Sequence, residues 1–235
     1  MLTNFMADPV EMQLLHMITA DPARTPTFTM FANPDYFLFT GKPNCNKPCI
    51  QEFAPETWNH GDVNPDINTT WLGMVGPGVK QLGIDHSIWS DHTDTRPTIL
   101  TLVGLKDDYI HSGRVLFEAL QDSALPPSLL QHRAVLTQLA QVFKQINACV
   151  GELGLDTLKI STKALESQSP GDKTYNQLET QLGEFAGQRD DIAKGMLTLL
   201  ENAEYNGQPI NVQLAQQLIE QGQALLKQVH DLAGQ

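Results

Sequence analysis

In the second half of the chain, apolar residues recur every three to four positions over long stretches. This spacing keeps one face of a helix apolar. Similar stripes cover residues 135–146 and 214–232, and the longest one, interrupted by Arg189, contains Tyr175, Leu178, Leu182, Phe185, Ile192, Met196 and Leu199. Short breaks at residues 169–171 and 206–209 separate the stripes. The pattern therefore predicts an antiparallel bundle of three or four helices over residues 126–235.

Residues 1–125 have a different pattern, in which short apolar segments alternate with polar, proline-containing loops. Residues 9–19 are predicted to form a helix, because their apolar positions share one face and Asp8 before Pro9 is a typical helix start. A second, short helix is predicted within residues 90–104, where capping residues precede a proline and a glycine closes the segment.

Two segments of the first half favour strands. Residues 27–32 alternate between apolar and polar side chains, and residues 71–75 form a short apolar run that ends at a glycine-proline turn. A helix, a strand, a polar loop and a second strand, in this order, are typical of a doubly wound sheet. The predicted fold is thus an α/β core over residues 1–125, followed by an all-α helical bundle over residues 126–235.

Composition excludes some functions and leaves others open. The net charge of −12 argues against nucleic-acid binding, which requires clustered lysine and arginine. No apolar run reaches the roughly 18 residues that a membrane span needs. Cys45 and Cys49 share a proline-rich loop, where a disulfide is expected in an oxidising compartment and a reduced surface pair otherwise.

A histidine-glycine pair carries the most specific signal for chemistry. His60-Gly61 lies in a polar loop ahead of the predicted strand at 71–75, which places an imidazole at the rim of a sheet. The segments that follow are Gly76-Pro77-x-Val79-Lys80 and Thr93-Asp94-x-x-Pro97-Thr98. In this order they resemble the C-terminal part of the alkaline-phosphatase superfamily over about residues 9–116. The phosphodiesterase and nucleotide-pyrophosphatase branch is the most similar.

The resemblance implies a metal-dependent hydrolase that cleaves small phosphoesters with two divalent ions, usually zinc, beside a serine or threonine nucleophile. His60 matches the last histidine ligand, and Asp35 matches the aspartate of an Asp-His ligand pair. Tyr36 stands where that pair has its histidine, so either Tyr36 is a weaker oxygen ligand or one metal site is altered. The nucleophile and the other ligands are expected upstream of residue 9. The chain is then expected to be the C-terminal portion of a longer, secreted or periplasmic enzyme, inactive alone.

Other interpretations remain open at this point. Tyr36 in place of a histidine also fits a non-catalytic binding module, built from a degenerate hydrolase remnant and a helical bundle. Sulfatase chemistry on the same scaffold is a further alternative, because the residue that defines it would lie upstream. The pair Asp91-His92 looks like a metal motif, but its position just before a predicted helix favours a capping role, with Thr93 or Asp94 satisfying the first amides.

Overall fold

The computed structural model describes residues 3–37, 54, 60–109 and 111–234. Helices make up 58% of the structure. Within the described residues, the strands β1 (Thr3–Ala7) and β2 (Thr29–Ala32) form one antiparallel pair. The α-helices are α1 (Pro9–Leu14), α2 (Pro65–Asn68), α3 (Thr95–Leu102), α4 (Pro127–Leu130), α5 (Arg133–Asn147), α6 (Glu152–Glu166), α7 (Lys173–Tyr205) and α8 (Val212–Ala233).

The predicted doubly wound α/β sheet is wrong. Residues 71–75 form no strand, and Trp71 is 82% exposed instead of lying inside a sheet. The strand predicted at 27–32 exists as β2, but its partner is β1, which the sequence pattern did not indicate. A parallel pairing needs a long crossover helix. The first helix is too short for that, since it ends at Leu14 and the chain then turns through His16, whose φ is 55°.

Local capping chemistry was predicted more accurately. Helix α1 begins as expected, with the Asp8 side chain accepting a hydrogen bond from the Val10 amide and Pro9 in the first turn. Helix α3 lies inside the predicted segment 90–104, and Gly104 follows it with a φ of 69°, a conformation that glycine adopts without strain.

Helices α5, α6, α7 and α8 form a bundle. The apolar stripes predict α5, α7 and α8, whereas no stripe was assigned to α6. Every pair of these four helices is in contact, and their buried side chains build the two main apolar clusters. Helices α5 and α8 pack closely at Gly222. A Cβ atom at this position would lie 2.6 Å from Cγ1 of Val142, so glycine is what allows the helices to meet there.

The N-terminal elements pack on one side of this bundle. Strand β1 lies against α6, where the Met6 amide donates a hydrogen bond to Thr162 Oγ1 over 3.2 Å. Helix α1 contacts both α6 and α7. Nearer the middle of the chain, Val115 and Phe117 are fully buried in the same apolar cluster as α5 and α7. The division into domains at residue 125 stays a prediction.

No helix in the described part of the chain is both long enough and apolar enough to cross a bilayer.

Candidate metal-binding sites

A hydrogen-bonded asparagine fixes the loop that follows His60. Asn64 is buried, and its amide nitrogen donates to the carbonyl oxygen of Ala32, at the end of β2, over 3.3 Å. Its side-chain oxygen accepts a hydrogen bond from Nδ2 of Asn4, in β1, over 3.0 Å. The backbone amide of Asn64 also donates to Asp62 Oδ1. The polar loop is thereby fastened to both strands, which positions His60 at the end of the β1–β2 pair.

His60 and Tyr36 line the same cleft. Its volume is about 70 Å³, and its other lining residues are Met30, Ala32, Phe37, Gly61, Asp62 and Ile67. One water occupies about 30 Å³ of liquid, so the cleft can hold an ion with one or two waters but not a phosphoester. An imidazole nitrogen is a usual zinc ligand, whereas the phenolic oxygen of Tyr36 would be a weaker one.

Asp35, the other predicted ligand, does not line this cleft, and its φ of 70° places it in a left-handed turn. Among the residues that the structure describes, His60 belongs to no group of three histidine, cysteine or carboxylate side chains close enough to share an ion. The metal-binding roles of His60 and Asp35 therefore stay predictions. Cys45 and Cys49, the predicted disulfide pair, lie outside the described residues.

Asp91 has the capping role that the sequence favours. Its side chain accepts a hydrogen bond from the Thr93 amide, and Asp94 Oδ2 accepts one from the Asp91 amide, which forms a reciprocal capping box. Lys144, from α5, places its ammonium 2.9 Å from an oxygen of each aspartate. These carboxylates are therefore occupied by a helix start and a buried cation.

A cluster of three carboxyl groups was missed by the sequence analysis. One oxygen each of Asp8, Glu11 and Glu179 lies within 4.8 Å of the others. Asp8 and Glu11 form the capping box of α1, with Glu11 Oε2 accepting from the Asp8 amide over 3.3 Å, and Glu179 comes from α7. Glu11 is fully buried and Glu179 partly so. The hydroxyl of Tyr175, one turn before Glu179, donates to Asp8 Oδ2 over 2.7 Å.

The three acids have different pKa values because burial and hydrogen bonding act differently on each. Burial raises the pKa of Glu11, and its hydrogen bond with Asp8 raises it further. The pKa of Glu179 is raised by burial and by the charge of Asp8. Burial also acts to raise the pKa of Asp8, but hydrogen bonds from Glu11 and Tyr175 outweigh it and lower the value. Asp8 is accordingly the ionised member of the cluster, and Glu11 and Glu179 hold protons more readily.

Part of this cluster has a recognisable sequence signal. The spacing of Asp8 and Glu11 is that of a capping box, and Glu179 directly follows Leu178 of the longest apolar stripe, where an acid is unusual. Nothing in the sequence pairs positions 11 and 179, however. Only the packing of α1 on α7 brings them together.

A larger cavity, of about 390 Å³, lies between the end of α7 and the segments that follow α3. Glu204 and Tyr205 are among its lining residues. Glu204 is buried, with one carboxyl oxygen accepting from the Val115 amide over 2.9 Å. Burial raises the pKa of Glu204 to about 7.

Comparison with protein-family models, with curated proteins and with solved structures gave no match to this chain.

Proposed function

We propose that the chain provides a metal ligand, His60, to a phosphoester hydrolase of the phosphodiesterase type that uses zinc. The observation that carries this proposal is that His60 and Tyr36 line one cleft at the end of β2. The second support is the resemblance in the order of His60-Gly61 and the segments that follow it. The hydrolase proposal depends on this local geometry and not on the doubly wound sheet, which the structure contradicts.

The chemistry follows from the ligands that the cleft offers. A divalent ion held by the His60 imidazole would polarise a phosphoryl oxygen and stabilise the charge that develops on it. The hydroxyl of Tyr36 is the adjacent oxygen donor. The cleft is too small for the ester itself, so the substrate would bind at its mouth. The described residues of its lining include no serine or threonine, and the nucleophile in this proposal comes from another part of the enzyme.

Zinc titration of the purified protein by calorimetry tests the ligand. Wild type is expected to bind zinc, and His60→Ala is expected to lose that binding while keeping its circular dichroism spectrum. The matched control is His86→Ala, which removes an exposed loop histidine away from the cleft. Equal zinc affinity in wild type and His60→Ala would refute the role of His60.

Hydrolysis of a nitrophenyl phosphodiester tests the reaction itself. The 235-residue chain with zinc is expected to show no turnover, because no serine or threonine is among the described residues that line the cleft. A polypeptide that also carries the missing nucleophile and ligands is expected to turn over, and its His60→Ala variant is not. Zinc-dependent turnover that survives His60→Ala would contradict the proposal.

A non-catalytic binding module is the second candidate, because one segment exposes apolar side chains in a fixed position. Trp71 and Ile84 are 82% and 89% exposed, and Val75 is fully exposed. The segment is held to the protein by a bridge between Val79 and Leu120. Exposed apolar surface of this kind is typical of protein contacts.

The binding-module hypothesis can be tested through self-association of the protein. If the segment binds a second copy, sedimentation at rising concentration should show an oligomer that Trp71→Ser weakens. A monomer at all concentrations would contradict it. A folded protein that binds no zinc but forms this oligomer would favour the module over the hydrolase.

A further inference from the structure

The cleft that His60 and Tyr36 line contains one carboxylate among its described lining residues, that of Asp62. Asp35, the aspartate that the sequence predicts as a ligand, does not line the cleft. A carboxylate oxygen is a usual zinc ligand, and it brings the negative charge that a neutral imidazole lacks. Asp62 is therefore the residue that can supply this charge inside the cleft.

The backbone keeps Asp62 beside His60. Only Gly61 separates the two residues, and its φ of 82° turns the chain between them in a conformation that glycine adopts without strain. Val63, the next residue, is buried in the same apolar cluster as Phe31 of β2. The turn at Gly61 is thus anchored on the strand pair, with His60 and Asp62 both at the cleft.

Hydrogen bonds fix the orientation of the Asp62 carboxylate. Its Oδ1 accepts one from the backbone amide of Asn64 over 2.9 Å and a second from Nδ2 of the same residue. Asn64 is buried and is itself bonded to Asn4 and Ala32, in the two strands. Both of these described bonds to Asp62 use Oδ1 and neither uses Oδ2. Carboxylates that bind metals are typically oriented in this way by hydrogen bonds from outer residues.

We propose that Asp62 is the carboxylate ligand that shares the zinc ion of the cleft with His60. The inference rests on the proposed zinc binding by His60, and it assigns to Asp62 the role that the sequence predicts for Asp35. Asp62 binds the ion through Oδ2, and Tyr36 is a third, weaker donor. Three protein ligands and one open position are the usual arrangement of a catalytic zinc, and the open position is where a phosphoryl oxygen would bind.

Calorimetric titration of the whole chain with zinc chloride tests this ligand. Asp62→Asn keeps an Oδ1 that can accept both bonds from Asn64 but carries no charge. It is expected to keep the circular dichroism spectrum of wild type and to bind zinc at least about tenfold more weakly. Asp66→Asn, which removes an exposed acid outside the cleft, and Asp35→Asn are expected to bind zinc like wild type. Wild-type affinity in Asp62→Asn, or a loss of affinity in Asp35→Asn alone, would refute the inference.

The same titrations separate this inference from the proposal on which it rests. If His60→Ala abolishes zinc binding and Asp62→Asn does not weaken it, His60 is a ligand and only the assignment of Asp62 is wrong. If wild type binds no zinc, or if His60→Ala binds it like wild type, the proposed function itself is wrong.

Cobalt substitution provides a second measurement that does not depend on affinity. Cobalt(II) can occupy zinc sites, and its visible absorption depends on the atoms that coordinate it. At saturating cobalt chloride, Asp62→Asn is expected to change this spectrum, whereas Asp66→Asn is expected to leave it unchanged. A spectrum of Asp62→Asn identical to that of wild type would mean that the carboxylate only holds the turn, and the inference would be overturned.

Discussion

The ammonium of Lys144 lies 2.9 Å from Oδ1 of Asp94, and both side chains are fully buried. Asp94 belongs to the capping box before α3, whereas Lys144 belongs to α5 of the bundle. Burial raises the pKa of Asp94, and the positive charge of Lys144 opposes that rise. Lys144, which lies 2.9 Å from Asp91 as well, therefore joins the start of α3 to the bundle and favours the charged form of Asp94.

Removal of the Lys144 ammonium should destabilise the fold strongly. Lys144→Met leaves Asp94 buried without its countercharge, and breaking one partner of a buried pair lowers the free energy of unfolding by about 3–5 kcal/mol. Urea unfolding measures the change, with Lys194→Met, an exposed lysine of α7, as the control. The double variant Lys144→Met/Asp94→Asn should recover part of the loss. Equal stability of Lys144→Met and the control would show that the pair contributes nothing.

The contact between α5 and α8 should not tolerate a side chain at Gly222. An added Cβ would lie 2.6 Å from Val142 Cγ1 and 3.1 Å from the terminal methyl of Met196, so the helices must separate. Gly222→Ala is expected to lower the free energy of unfolding by about 1–3 kcal/mol, as overpacking does.

The matched control is Gly187→Ala in α7, where nothing lies within 4 Å of the added Cβ. That change should raise the free energy of unfolding by up to about 1 kcal/mol, because alanine favours a helix over glycine. Thermal unfolding of both variants separates packing from helix propensity. A stabilising Gly222→Ala would mean that the two helices are not in close contact there.

The raised pKa of Glu204 predicts a dependence of stability on pH. The folded protein keeps the proton up to about pH 7, whereas the unfolded chain releases it near the ordinary value of 4.5. Stability from this group is therefore full below pH 4.5 and falls as the pH rises to 7, by about 3 kcal/mol in total.

Glu204→Gln cannot ionise and should lack this fall, while its amide oxygen can still accept from the Val115 amide. Urea unfolding at about pH 5 and about pH 8 gives the free energy of unfolding of both proteins. The contributions of other titrating groups cancel in the difference between wild type and variant. The variant should gain stability relative to wild type at the higher pH. If both proteins lose stability equally, Glu204 ionises normally in the folded state.

Periodicity predicted the helices well because each apolar stripe corresponds to the buried face of one helix. Periodicity does not explain why Arg189, a charged residue, interrupts the longest apolar stripe. Arg189 is buried, and its guanidinium lies 3.5 Å from the carbonyl oxygens of Gln13 and Leu14, at the end of α1. The C-terminal end of a helix carries partial negative charge, so a cation is favourable there. Arg189 also forms an ion pair with its neighbour Asp190, over 2.8 Å. Its contacts with the end of α1 are distant in sequence, and no local pattern reveals them.

The strand prediction failed for a related reason. A short apolar run such as residues 71–75 has the composition of a buried strand, but burial depends on what packs against it. In this chain Trp71 points to solvent instead. His60 and Tyr36 line one cleft, and the sequence related them only through the family resemblance, so their metal-binding role stays a prediction. The carboxyl cluster was not predictable, because Glu179 reaches Asp8 only through the packing of α1 on α7.

The most direct test of the proposed function is the anomalous scattering of zinc in crystals of the protein grown with zinc. We expect an anomalous peak about 2.0–2.1 Å from a ring nitrogen of His60, which is the normal zinc–imidazole distance. The hydroxyl oxygen of Tyr36 should be a second ligand of this zinc ion. A zinc peak elsewhere, with the His60 ring bonded only to water or protein atoms, would contradict the proposal.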